Sequence, residues 1–180
     1  MSMPRPADCK SDANVKPDDV HLIFRARSER LICFDGRGHK KWELAARGLG
    51  VSGDDTPGHY TGTYGDTPPG VYQCYDPYHF ARGETITFPS GAVQQAWLAY
   101  GPWYVGLIGM EGQTDRRPGL AIHGGGSGLG TVAYDNENQG WVRTHGCIRL
   151  QNHDIHRVYQ TVKWTLRKKH VAWLTVTWTG

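Results

Sequence analysis

Apolar residues fall along the chain in short runs, separated at close intervals by turn residues. Val20–Arg25 and Arg30–Phe34 read as strands, and Asp35-Gly36 is a turn signal after the second. The stretch from Gly48 to Asp66 is rich in Gly, Thr and Asp and is expected to be loop. Thr67-Pro68-Pro69-Gly70 is a stiff turn that launches a strand over Val71–Tyr75. Glu84–Phe88 alternates polar and apolar residues before Pro89-Ser90-Gly91 turns the chain. Gln95–Ala99 and Trp103–Met110 are further strand candidates, and Leu120–His123 is a short apolar strand that ends on a histidine.

One later segment has a different period. Ile155, Val158, Tyr159, Val162 and Leu166 fall on one face of a helix. Asn152 is placed to cap its start, with Asp154 in the first turn. Arg167, Lys168, Lys169 and His170 at its end suit the helix dipole. The Trp- and Thr-rich run Val171–Trp178 reads as a closing strand. No internal repeat is seen. The expected fold is therefore mainly β, a sandwich or distorted barrel with one late α-helix. Residues 1–19 are expected to form a polar, flexible lead and residues 20–180 a single domain.

Composition narrows this picture. A chain of 180 residues that is 38% hydrophobic is long enough for one real core, and disorder is excluded as its default state. The 24 glycines and 10 prolines demand many turns. A net charge of +3 is too mild to argue for nucleic acid as a partner. No run approaches the ~18 apolar residues of a membrane-spanning helix. The first residues lack the apolar core of a secretory signal, so export by another route, or a signal already removed, is expected of any extracytoplasmic role. Cys9, Cys33, Cys74 and Cys147 contain no CxxC pair, and the order of residues does not decide whether any of them form disulfides.

Only Cys147 has an unusual neighbourhood. It lies in Thr144-His145-Gly146-Cys147-Ile148-Arg149-Leu150, and Ala121-Ile122-His123-Gly124 lies upstream. An unperturbed thiol has a pKa of about 8.5 and needs a base or a positive field to become a useful nucleophile. His145 would share a face with Cys147 if the segment were extended, and His123 ends a strand that could lie alongside. Gly146 leaves the backbone open, so N–H groups there could receive an oxyanion. Arg149 offers a planar fork for a carboxylate, or equally a brace for the loop through backbone carbonyls.

The run Thr144–Leu150, with His123-Gly124 upstream, resembles the signature of the L,D-transpeptidase catalytic domain, the YkuD-like fold. Thr67-Pro68-Pro69-Gly70-Val71-Tyr72 is similar to a turn that recurs earlier in those domains. The resemblance spans roughly Val20 to Val176. Twenty residues separate His123 from Thr144, more than is usual in the family, and the excess is expected in Gly124-Gly125-Gly126-Ser127-Gly128-Leu129-Gly130. The resemblance implies a cysteine enzyme acting on peptidoglycan stem peptides in the bacterial cell envelope. It would cut between an L-centred diamino acid and a D-amino acid through a thioester, which an amine or water then resolves. It makes Cys147 the nucleophile and His123 the base, oriented by the Gly124 carbonyl. Around the oxyanion it places His145 and the backbone N–H groups of Gly146 and Cys147, with Thr144 beside them, and it gives Arg149 a site-holding or substrate-binding role. No cofactor or metal is implied. A cross-linker, a trimming peptidase and a delivered antibacterial toxin with an immunity or delivery partner share this signature.

Two readings of other classes compete. His145-x-Cys147, His153-x-x-His156 and His123 contain metal-ligand types, but no HExxH or paired CxxC accompanies them. The 7 Trp and 9 Tyr could line the groove of a non-catalytic glycan- or peptide-binding module.

Overall fold

The computed structural model describes residues 15–50, 65–88, 90–110, 114, 117–125 and 136–178. Runs rich in β-branched and aromatic residues form the strands β1 (Val20–Arg25), β2 (Arg30–Asp35), β3 (Lys40–Ala45), β4 (Gly70–His79) and β5 (Thr85–Thr87). They are followed by β6 (Val93–Gln95), β7 (Trp103–Gly109), β8 (Ala121–His123), β9 (Ile148–Arg149) and β10 (Ala172–Thr177). Two helices interrupt them, α1 (Ala96–Tyr100) and α2 (Asn152–Arg167). Eight strands make one sheet in the order β3-β2-β1-β10-β4-β7-β8-β9, and β5 and β6 form a separate hairpin. The expected sandwich or distorted barrel is realised as this one sheet, curled into half a barrel.

The topology joins the two ends of the described chain. β10 lies at the centre, parallel to β1 with Val20 opposite Ala172 and antiparallel to β4 with Leu174 opposite Tyr72. Asp19 fixes this junction. Its carboxylate accepts from the Val171 N–H at 2.8 Å and the Lys16 N–H at 2.9 Å. Lys16 to Asp19, the last residues of the expected flexible lead, are thus tied onto the start of β10.

α2 packs against β7, β4, β1, β10 and β8, burying Ile155, Val158, Tyr159 and Val162. That is the apolar face expected from the sequence. Against it lie Leu22, Phe24, Tyr72, Val105, Ile122, Ile148 and Leu174, all fully buried. On the sheet, Val105, Ile122 and Ile148 are register neighbours on this core face. Tyr104, His123 and Arg149 occupy the alternate positions and face the other way.

Three local expectations are corrected. Gln95–Ala99 is not a strand: β6 ends at Gln95 and Ala96–Tyr100 is a helix, consistent with the helix propensity of Ala and Leu in too short a window to show a period. Lys40–Ala45, unremarked as a sequence, is the edge strand β3; the charges that hide its apolar pattern also protect an edge. Asn152 does not cap α2. Gln151 is the cap residue, and the buried Asn152 side chain instead accepts from the Gly125 N–H at 2.9 Å and donates to the Asn136 carbonyl at 2.7 Å. The expected loop from Gly48 to Asp66 and the glycine run 124–130 lie largely outside the described residues.

Candidate active site

β8 and β9 pair in parallel at one edge of the sheet, with Ile122 opposite Ile148 and His123 opposite Arg149. Continuing this register places Cys147 beside Ala121, so Cys147 and His123 are diagonal neighbours across two adjacent strands. The Ala121 N–H points to the Cys147 sulfur and favours its thiolate, and the Gly119 carbonyl lies 4.0 Å from Sγ. Both candidate groups are buried: Cys147 is 8% exposed and His123 3%.

His123 is held by its own neighbour. Its Nδ1 lies 2.6 Å from the Gly124 carbonyl oxygen, which can only accept, so Nδ1 carries the proton and Nε2 the free lone pair. Tyr100 packs edge-on against the imidazole, with 5.1 Å between ring centres. Gly124 is required as glycine because a side chain there would overlap the Asn152 Oδ1 that anchors Gly125. The Gly124 carbonyl is thus held as the hydrogen-bond partner of the His123 ring.

The turn before Cys147 is built by two threonines. Thr144 Oγ1 donates to the Cys147 carbonyl at 2.8 Å and accepts from the Gly146 N–H at 3.0 Å. Thr67, from the stiff Thr-Pro turn, donates through Oγ1 to the Gly146 carbonyl at 2.8 Å. Gly146 itself has φ +99°, a conformation that favours glycine. Two expectations change as a result. The Gly146 N–H is already engaged with Thr144 Oγ1, whereas the Cys147 N–H makes no hydrogen bond among the described residues. Because the chain bends at residues 145 and 146, His145 and Cys147 do not share a strand face, and His145 is exposed.

Burial dominates the electrostatics. It pushes the Cys147 thiol up, against the Ala121 N–H and the charges of Arg149 and Arg117, which pull it down. His123 is pushed down to about 3 by burial and then by Arg149, with the Gly124 carbonyl opposing. At neutral pH the resting pair is thus a thiol and an uncharged imidazole. Burial lowers Arg149 to about 10, which leaves it charged. Its Nη1 donates to the Val142 carbonyl at 3.1 Å, while its buried Nε has no partner among the described residues. Burial raises Tyr100 and Tyr104, and a Cys147 thiolate adds to both shifts. Cys33 and Cys74 are free, buried and raised to about 12.

The site therefore gathers Cys147, His123, Gly124, Thr144 and Arg149, leaves His145 at its rim, and adds Thr67, Tyr100, Tyr104 and Arg117. The resemblance of the Thr-Pro turn pointed to Thr67. Nothing local marks the two tyrosines or Arg117, because only the packing of β7, α1 and the turn before β8 brings them in. His153 and His156 stay outside the site, at the exposed start of α2.

A family model for the L,D-transpeptidase catalytic domain, YkuD, matches residues 20–174. Among the solved structures that share the fold are three from different bacteria. Bd1075 of Bdellovibrio bacteriovorus is 16% identical with a TM-score of 0.52, over 90% of this chain and 49% of that one. An L,D-transpeptidase from Stackebrandtia nassauensis is 14% identical with a TM-score of 0.51, over 94% and 60%. One from Mycobacterium tuberculosis H37Rv is 15% identical with a TM-score of 0.50, over 88% and 57%. The chain thus spans about half to three-fifths of the length of these structures. No curated protein sequence matches.

Proposed function

The chain belongs to the L,D-transpeptidase catalytic-domain family, and on that premise we propose that it is a peptidoglycan-modifying cysteine enzyme of the bacterial cell envelope. The observation that carries this reading is the pairing of β8 with β9, which sets His123 diagonal to Cys147 within the matched region. The substrate is a stem peptide cut after its L-centred diamino acid.

Cys147 Sγ attacks the carbonyl carbon as its proton passes to His123 Nε2. The Cys147 N–H donates to the oxygen that gains charge. The C–N bond then breaks, and the departing D-amino acid takes the proton from His123. An amine or water attacks the thioester, loses a proton to His123, and the released sulfur recovers that proton. The first course gives a cross-link and the second gives trimming. The Gly124 carbonyl keeps His123 in the one tautomer this sequence needs. Arg149, buried and bonded to Val142, braces the nucleophile segment and supplies positive charge to the sulfur.

Digesting purified peptidoglycan with the protein and weighing the fragments tests the reading. Loss of terminal D-residues or new 3→3 dimers is expected from the wild type and from Cys33→Ala, and neither from Cys147→Ala. Unchanged stem peptides with folded wild-type protein would sink the assignment. A Cys147→Ala variant that still turned over would remove the nucleophile.

A further inference from the structure

Arg117 sits just before the Pro118-Gly119 turn that leads into β8. Its Nη2 donates to the His145 carbonyl at 2.7 Å, and a methyl group on Gly146 would overlap that same nitrogen. The guanidinium thus lies directly across the backbone of the two residues that precede Cys147. Its side chain is half-buried, whereas Arg149 is buried. Only glycine at position 146 admits this approach, which links the left-handed turn at Gly146 to the placing of a charge.

We propose that Arg117 is a positioning residue for Cys147: its guanidinium pins the His145–Gly146 turn and sets a second fixed positive charge, beside that of Arg149, against the sulfur. This rests on the reading of Cys147 as the nucleophile. Among the described residues, the titratable and charged groups around Cys147 are His123, diagonal to it in the β8–β9 register, and Arg149 of β9, Tyr104 of β7, Tyr100 at the end of α1 and Arg117, which interact with it electrostatically; Arg117 also interacts with Tyr72 of β4. Among them only the two arginines are cations at neutral pH, since burial keeps His123 uncharged. A charge on a planar fork does two things at once. It donates to a carbonyl in a fixed direction, and it stabilises the negative sulfur. Lysine retains the charge and loses the fixed geometry.

Alkylation of Cys147 in the full chain reads the effect directly and needs no stem peptide. The rate is followed from pH 6 to 10 with neutral iodoacetamide and with anionic iodoacetate, and the labelled cysteine is identified by peptide mass mapping. Removing the charge disfavours the thiolate, so below its pKa Arg117→Met and Arg117→Gln should react about three- to tenfold more slowly. This range discounts the one- to three-unit shift of a close charge pair for the partial exposure of Arg117. Both variants should also lower the iodoacetate-to-iodoacetamide rate ratio, and Arg117→Lys should restore that ratio. Arg117→Gln keeps a donor for the His145 carbonyl and serves as the second variant should Arg117→Met not fold. Folded variants with the wild-type rate and ratio would overturn the proposal. So would a slower rate whose ratio stays at the wild-type value in all three, since a merely structural brace predicts that pattern. An enzyme that spares peptidoglycan yet shows the expected ratios would remove the stem-peptide reading and leave Arg117 in place.

Discussion

His123 has one of its two nitrogens committed to a carbonyl, and that bond decides what the other can do. With Nδ1 protonated and held by Gly124, Nε2 is a base without any need to ionise first. Its displacement to about 3 keeps the base form present far below the usual imidazole range, and burial keeps Cys147 protonated well above it. The expected kcat/KM is therefore flat from about pH 5.5 to 8, where an ordinary histidine would give an inflection near 6.5. His123→Ala should lower kcat by roughly 100- to 10,000-fold with little change in KM. An inflection near 6.5, or a harmless His123→Ala beside a crippling His145→Ala, would exchange the roles of the two histidines. At this scale the motif that carries the proposed nucleophile was legible, because Thr144, His145, Gly146 and Cys147 are contiguous. It misplaced His145 because the same-face rule holds only for extended backbone, and Gly146 at φ +99° bends it.

Elements show a similar division. α2 was legible from a strong apolar period, and β1, β2, β7 and β8 from apolar runs bounded by turns. α1 and β3 were not, the first for its five residues and the second for its charged edge composition. The parallel pairing of β1 with β10 was also hidden, since partners 152 residues apart leave no local trace. That pairing carries a titratable group. His21 on β1 is buried, its Nε2 lies 2.8 Å from Thr175 Oγ1 on β10, and burial lowers it to about 4. The unfolded chain takes up a proton near pH 6.5 that the folded chain refuses until about 4, so stability falls as pH drops through this window. His123 acts in the same direction. Replacing His21→Gln should flatten the dependence by roughly 1 kcal/mol per pH unit between pH 6 and 4.5, measured as urea midpoints converted with a common slope. An unaltered dependence would show that His21 is not the group responsible.

For the whole molecule, the decisive feature is the central place of the last strand. β10 holds β1 on one side and β4 on the other, and β4 carries β7, which carries β8 and then β9. A chain ending at residue 170 should therefore lack a cooperative unfolding transition and all turnover, as circular dichroism during a thermal ramp and peptidoglycan digestion would show. A stable, active product would mean that the β4-to-β9 half with α2 stands alone. Asp19, joined to Val171 and Trp173, extends the same dependence to the other end of the described chain. During synthesis this arrangement imposes a timetable: a nascent chain still inside the ribosomal tunnel has already made Cys147 and His123, but not the strand on which their alignment depends. On the proposed reading the pair is aligned only when translation of the domain is complete, so an incomplete product carries these residues without the fold that brings them together.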